Sequence, residues 1–244
     1  FQLEGISHIT DTPKAFNGAA VSDDGRIFFA PHDSDAVGVY SRGAAHTKYL
    51  YEFGVSVSID GFTVAVGAYL DDDNGTDSGS AYVVTYDGSG TWAMQAKLEL
   101  EPANEGARFG SAVAASGQVV AVGTGSSEAY PGAVHIFTPG GAGGWEKIQE
   151  LVAEPDGDVD WCFGHSLALE GCGPEEGPCA KSGVLVVGSP QTCDWNHLHE
   201  GRAYVYRSDG AAFVLEATLT ADEPRDDFGR SVGTATPSFG NGVG

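Results

Sequence analysis

The densest group of side chains able to do chemistry lies between Asp71 and Asp77, in the run Asp-Asp-Asp-Asn-Gly-Thr-Asp. Ca²⁺ takes about six to eight oxygen ligands, and a short glycine-containing loop rich in carboxylates supplies them with little strain. The run departs from the Asp-x-Asp-x-Asp-Gly calcium pattern, because Gly75 stands at a ligand position and no glutamate follows at the far end. We predict a calcium site that uses the carboxylate and amide oxygens of this run: Asp71, Asp73, Asn74 and Asp77.

Asn74 also belongs to Asn74-Gly75-Thr76, the one Asn-x-Ser/Thr glycosylation acceptor in the sequence. The surrounding run is expected to be an exposed loop, where a glycan can be attached. A glycan on Asn74 would remove its amide as a free calcium ligand. The sequence therefore gives two competing predictions for this residue.

Acidic residues dominate the whole chain, with 34 Asp and Glu against 12 Lys and Arg and a formal net charge of −22 over 244 residues. A surface this negative repels nucleic-acid phosphates and anionic lipid headgroups. No apolar run approaches the ~20 residues that cross a bilayer as a helix. We therefore predict a folded acidic protein with no nucleic-acid binding and no membrane insertion.

An internal repeat organises the chain. Four stretches that begin with Phe-Gly superimpose, with starts 56, 54 and 65 residues apart: Phe53–Val57, Phe109–Val113, Phe163–Leu167 and Phe228–Val232. Each complete copy continues with a β-rich run ending in Val-Gly, a variable loop, a Gly-x-Ala/Val-aromatic segment and an alternating fourth segment. A more diverged copy begins at Phe16.

Four short strands per unit and a unit period of about 55 residues are the signature of propeller blades. A β-sandwich would explain many short strands but not a fixed internal repeat. We predict an all-β β-propeller of about four four-stranded blades with a stray strand at each end, either an incomplete ring or part of a ring of about seven blades. The predicted segments are 1–14 (last strand of a preceding blade), 15–52, 53–107, 108–161 and 162–227 (blades), and 228–244 (first strand of a following blade).

The Phe-Gly, Val-Gly-Ala and Gly-x-Ala-Tyr segments, in this order, resemble the FG-GAP repeats that build the propeller of integrin α-chains and of many secreted proteins. The nearest match is Phe53–Tyr86, and the resemblance covers almost the whole chain. It implies a propeller fold but no single function, because these repeats serve adhesion receptors, enzyme-attached modules and structural proteins alike. In integrins the calcium loop precedes the Val-Gly strand, a place held here by the short turn Asp60-Gly61, so the predicted site departs from that arrangement.

Blade topology sorts the loops onto two faces. Because the chain reverses at each turn, the loops between strands two and three lie on the same face as the links between blades. Most acidic residues are predicted to lie on this face, where they attract cations and basic partners: Asp33, Asp35, Asp71, Asp72, Asp73, Asp77, Glu101, Glu105, Glu154, Asp156, Asp158, Asp160, Asp194, Glu200, Asp222, Glu223, Asp226 and Asp227. The predicted contacts to a protein or sugar partner on this face are Trp161, Trp195, Asp158 and Asp160.

The four cysteines all fall in the last complete blade. Cys172 and Cys179 bracket the loop between its first and second strands, whereas Cys162 and Cys193 lie on the acidic face. Among the three possible connectivities, this placement favours the pairs Cys172–Cys179 and Cys162–Cys193. The even count indicates an oxidising compartment, either extracellular or lumenal. The alternative is a zinc site built from Cys193, Asp194, His197 and His199.

No catalytic constellation is predicted. Gly229–Gly233 matches Gly-x-Ser-x-Gly, but it is the first strand of the repeat, and the nucleophile elbow requires a strand-to-helix turn. His165 stands at the variable position of the same segment, which favours a structural role. The phenylalanines of the Phe-Gly pairs are predicted to be core residues.

The sequence therefore predicts a non-enzymatic extracellular or lumenal protein-interaction or adhesion module that presents an acidic loop face, with Ca²⁺ as its candidate cofactor. Its partner would be a protein with a basic surface, a glycan, or further blades of a longer chain. Two alternatives stay open. One is a structural subunit of a filament or multiprotein complex, whose neighbours cover the strand edges at Gly5–Ile9 and Phe228–Thr234. The other is an accessory domain of a secreted hydrolase or lyase.

Overall fold

The computed structural model describes residues 16–21, 27–31, 53–86, 92–125, 132–141, 143–153, 162–173, 179, 182–190, 201–221 and 228–234, the first two ranges by their backbone alone. Within these ranges the chain forms strands and turns without any helix, which confirms the predicted all-β class. The described part of the chain accordingly contains no helix able to span a membrane.

The strands pair in chain order into antiparallel sheets, three of them four-stranded, which is consistent with propeller blades. Blade one contributes β1 Phe16–Val21 and β2 Ile27–Pro31. Blade two contains β3 Phe53–Asp60, β4 Thr63–Ala68, β5 Ser80–Tyr86 and β6 Trp92–Leu98. Blade three contains β7 Phe109–Ser116, β8 Val119–Thr124, β9 Ala133–Pro139 and β10 Trp145–Val152. Blade four contains β11 Ser166–Glu170, β12 Val184–Ser189, β13 Arg202–Ser208 and β14 Phe213–Thr220. The described sheets do not close into a ring.

Burial falls from the inner strands of each blade to the outer strand. β4 and β8 are buried along their whole length, as expected for Val- and Ala-rich strands with a sheet packed on both faces. The outer strands β10 and β14 are largely exposed, and each has a single buried residue, Leu151 and Phe213. The core therefore lies between successive blades.

Glycine backbones join one blade to the next. The Val-Gly glycine of each blade lies against the Phe-Gly glycine of the following blade. A Cβ atom on Gly67 would lie 1.9 Å from the carbonyl oxygen of Gly110, and one on Gly123 would lie 2.3 Å from that of Gly164. Any larger residue at these positions would push the blades apart. The glycines of the repeated pattern are thus explained by close backbone approach.

A serine hydroxyl reinforces two of these joints. Ser56 Oγ of blade two donates a hydrogen bond of 2.9 Å to the carbonyl oxygen of Gly110, the Phe-Gly glycine of blade three. Ser166 Oγ of blade four donates one of the same length to the carbonyl of Gly229. Residues 228–234 therefore dock on blade four as a Phe-Gly segment, although they form turns and bends and not a paired strand. Their assignment to a following blade stays a prediction, and residues 1–14 lie outside the described part.

Two phenylalanines of the Phe-Gly pairs, Phe109 and Phe163, are fully buried core residues, and Phe53 is half-buried and packs against the core of blade two. Phe109 packs edge-on against Phe137, and Phe163 packs edge-on against Tyr204, both on third strands. The prediction is wrong for Phe228, which is 39% exposed. The physical reason is that the described part of the chain contains no third strand for Phe228 to pack against.

Candidate functional site

The acidic run predicted as a metal site forms a compact loop between β4 and β5. The backbone of Asp71 donates to the Ala68 carbonyl at 3.1 Å, and Gly79 N–H returns to the Asp71 carbonyl at 2.9 Å, so both ends of the loop are tied together. Gly79 also packs directly on the backbone of Phe109. The loop is therefore held by its own blade and by the next one.

Asp71 is the buried anchor of this loop, with 3% of its surface exposed. Its Oδ1 accepts the backbone N–H of Asp73 at 3.0 Å. Its Oδ2 accepts the hydroxyls of Ser80 at 2.7 Å and Tyr82 at 3.0 Å. Burial, with the neighbouring carboxylate of Asp71, raises the pKa of Tyr82 to about 12, so the phenol keeps the proton that it donates.

Lys97 of β6 reaches the same carboxylate. Its Nζ lies 3.0 Å from Asp71 Oδ2 and also pairs with Asp73 and Glu99. Burial opposes the charge of this lysine, but hydrogen bonds to Glu99 and Asp71 outweigh burial and raise its pKa. Lys97 is not among the site residues predicted from the sequence. One feature of the sequence could have pointed to Lys97: it is the one basic residue of β6, the strand beside the acidic loop.

The four predicted calcium ligands have different partners in the structure. Asp71 and Asp73 share Lys97, whereas the Asn74 side-chain nitrogen donates to the Leu100 carbonyl at 2.8 Å. Asp77 donates its backbone N–H to Asp72 Oδ1 at 2.8 Å. Among the described residues, no group of three or more His, Cys, Asp or Glu side chains is arranged to hold a metal ion. Calcium at this loop, and a glycan on the half-buried Asn74, stay predictions.

The link between blades two and three lies beside the loop, on the face predicted for both. The backbone N–H of Gly106 donates to the Thr76 carbonyl at 2.8 Å, and that of Arg108 donates to the Asp77 carbonyl at 3.0 Å. Together the loop and the link form what we call the acidic surface of blade two, whose carboxylates are Asp72, Asp73, Asp77, Glu99, Glu101 and Glu105. Arg108 is the base within the link, and Lys97 of β6 lies beside the loop.

The Cys172–Cys179 disulfide is present, with both cysteines buried and their Cα atoms 4.3 Å apart. Cys162 is also disulfide-bonded. The predicted partner Cys193 lies outside the described residues, as do the zinc alternative Asp194, His197 and His199. The predicted partner-binding residues are likewise outside them: Trp161, Trp195, Asp158 and Asp160.

Ser231, the serine of the Gly-x-Ser-x-Gly match, lies in an exposed bend that continues the segment docked on blade four. Gly229, which opens the match, contacts the Arg202 carbonyl of blade four. The strand-to-helix turn of a nucleophile elbow is absent from residues 228–234, which agrees with a blade-joining role for this segment.

His135 occupies the position in blade three that Tyr82 occupies in blade two. Both residues lie within the buried stretch of the third strand, and both pack edge-on against the phenylalanine of their Phe-Gly pair. His135 Nδ1 is buried, has no hydrogen-bond partner among the described residues, and lies 3.5 Å from Glu150 Oε2. Burial lowers the pKa of His135 to about 4, although Glu150 acts in the opposite direction.

We expect His135 to make the fold sensitive to mild acid. Its folded pKa of about 4 lies below the ordinary 6.5, so the unfolded chain takes up more protons between these values, and stability falls as pH falls through that window. The expected loss is roughly 2 kcal/mol at pH 5 and approaches about 3 kcal/mol near pH 4. Urea unfolding of wild type and His135→Phe at several pH values measures it. Equal pH dependence in the two proteins would refute this role.

The comparisons with known proteins agree with this architecture. The model of the FG-GAP repeat matches residues 51–84 and 92–137, ranges that include the Phe-Gly, Val-Gly and Gly-x-Ala-Tyr positions of blade two and the first three strands of blade three. No curated protein matches the chain. FG-GAP repeats occur in extracellular adhesion proteins of the integrin type and are generally non-enzymatic. The chain therefore carries FG-GAP repeats, at residues 51–84 and 92–137.

Proposed function

We propose that this protein is a non-enzymatic interaction module of an extracellular or lumenal compartment, and that the acidic surface of blade two binds a basic segment of a partner protein. The observation that carries the proposal is that the loop and the link are hydrogen-bonded to each other. Two backbone hydrogen bonds, from Gly106 and Arg108, hold their carboxylates on one face. The FG-GAP repeats and the disulfide support the class of module and the compartment.

Charge and preorganisation both favour such a partner. Asp72, Glu101 and Glu105 are exposed, so they meet a partner without rearranging the core. A chain of net charge −22 also steers basic molecules toward itself over several ångströms, an effect that salt weakens. The proposed surface localises this general attraction at one site, because its carboxylates are held in place by backbone contacts between two repeats.

Charge reversal at two exposed positions tests the proposal. Each Glu→Lys substitution adds two charges, so Glu101→Lys with Glu105→Lys moves the net charge from −22 to −18. We expect this double variant to bind an oligolysine peptide about tenfold more weakly than wild type. Calorimetric titration at about 0.15 M ionic strength, where long-range attraction is screened, measures the affinity.

The matched control carries the same charge change elsewhere. Glu146→Lys with Glu216→Lys alters exposed glutamates on β10 and β14 and also gives −18. We expect this variant to keep wild-type affinity within about twofold. An equal loss in both variants would show attraction to net charge alone and would refute a localised binding surface.

One observation favours a second function, that of a structural subunit. Phe228 presents a ring that is 39% exposed, on a segment docked on blade four as a Phe-Gly joint. A neighbouring domain that covers this ring would bury it, as the phenylalanine is buried at the joint between blades two and three. In that case a Phe228→Asp variant would no longer assemble with the neighbouring domain, whereas its acidic surface would keep its affinity for oligolysine.

A further inference from the structure

We propose that the ammonium group of Lys97 is the cation that neutralises the loop between β4 and β5, here called the Asp71 loop, so that this loop folds without a divalent metal. The inference concerns what organises the acidic surface and does not depend on which partner binds there. It rests on three observations: the match between the donors of Lys97 and its acceptors, the full occupancy of Oδ2 of the Asp71 carboxylate, and the blade in which Lys97 occurs.

The donors of Lys97 match the acceptors around it. A lysine ammonium carries three N–H donors and no acceptor. Three carboxylates surround Nζ, those of Asp71, Asp73 and Glu99, and the distance to Asp71 Oδ2 is 3.0 Å. The ring of Tyr82 lies on a fourth side, with its centroid 5.9 Å from Nζ. The ammonium therefore stands where a metal coordinated by these carboxylates would stand.

The carboxylate at the centre of the loop has one oxygen, Oδ2, whose acceptor positions are all taken by donors of the folded blade. An ionised carboxylate offers about four lone-pair sites on its two oxygens. Four donors already reach Asp71: the backbone N–H of Asp73 on Oδ1, and Ser80, Tyr82 and Lys97 on Oδ2. A calcium ion bound to Asp71 through Oδ2, or through both oxygens, would have to displace at least one of the three donors on Oδ2, and all of these belong to the folded blade.

The position of Lys97 distinguishes blade two from its neighbours. Lys97 pairs with Tyr82 across β5 and β6, and the equivalent pairs are Glu150 with His135 in blade three and Thr218 with Tyr204 in blade four. The base therefore occurs in the blade whose loop begins with three consecutive aspartates, whereas the corresponding stretch of blade three, residues 125–132, contains a single acid. The cation and the carboxylates it neutralises belong to the same repeat.

Thermal unfolding of Lys97→Met tests the proposal. In excess EDTA we expect this variant to melt about 5 °C or more below wild type, because three carboxylates, one of them buried, lose their counter-charge. The matched control is Lys147→Met. Lys147 pairs with one exposed carboxylate, that of Glu150, at 2.9 Å, and its loss is expected to shift the melting temperature by no more than about 2 °C.

Calcium distinguishes the proposal from the metal site predicted from sequence. We expect the melting temperature of wild type to be the same in low-millimolar calcium and in EDTA, and calorimetry to show no saturable calcium binding. A calcium-dependent rise in wild type that disappears in Asp73→Ala would overturn the proposal. So would a Lys97→Met variant as stable as wild type in EDTA. If Lys97→Met does not fold, the wild-type calcium titration decides alone.

Discussion

Replacement of Phe163 by alanine is expected to lower the free energy of unfolding by about 4 kcal/mol, a large share of the stability of an ordinary domain. Phe163 is fully buried, and its ring packs edge-on against Tyr204 at 5.1 Å and near Tyr206 at 6.3 Å. Its neighbours belong to the central strands of blade four, which have little freedom to close the cavity. Chemical denaturation with intrinsic fluorescence measures the change.

Phe228→Ala is the matched control for Phe163→Ala, because it removes the same ring from the same repeat position. With 39% of its surface exposed, Phe228 is expected to contribute less than about 1.5 kcal/mol. Comparable losses in the two variants would mean that Phe228 is covered in solution. A loss below about 1 kcal/mol in Phe163→Ala would contradict the packing described for blade four.

Gly67→Ala is expected to destabilise the fold by about 3 kcal/mol, because it inserts a methyl group into the joint between blades two and three. The new Cβ would lie 1.9 Å from the Gly110 carbonyl oxygen and 2.4 Å from Ser56 Oγ, distances that force backbone movement. The serine hydroxyl that bonds to the same carbonyl would be displaced as well. Urea unfolding measures the loss of stability. If the substitution separates only these two blades, the unfolding transition would also become less cooperative.

Gly144→Ala provides the control for this substitution. Gly144 lies before β10, and a Cβ there would have no heavy atom within 4 Å. We expect its stability to stay within about 0.5 kcal/mol of wild type. If Gly67→Ala were equally neutral, the blades would not approach each other through their glycines, and another explanation of the repeated Val-Gly pattern would be needed.

The repeat made most of the fold predictable from sequence. Phe-Gly, Val-Gly and Gly-x-Ala recur because each marks a backbone contact between successive blades, so the pattern reports packing directly. The alternating fourth segment predicted for each complete copy is a strand in all three blades, beginning at Trp92, Trp145 and Phe213. Phe228 shows the limit of this reasoning, since the motif predicts a buried ring only when the rest of the blade surrounds it.

The candidate site was less predictable because its key residue is distant in sequence. Lys97 lies 24 residues after Asp73. Their meeting depends on the register of β5 and β6, which shifts between Val83 and Val84 through a bulge. A bulge of one residue changes which side chains share a face of the sheet, and strict alternation along β6 does not reveal it. The acidic run was visible in the sequence, but the cation that neutralises it was not.

Amide chemical shifts during titration with oligolysine, recorded in EDTA, test most directly whether the acidic surface of blade two binds a basic segment without metal. We predict shifts concentrated in residues 72–77 and 99–108, with little change at the hairpin turns Gly61–Phe62 and Gly117–Gln118 on the opposite face. Shifts spread evenly over the exposed acids of all blades, or shifts that appear only after calcium is added, would contradict the account.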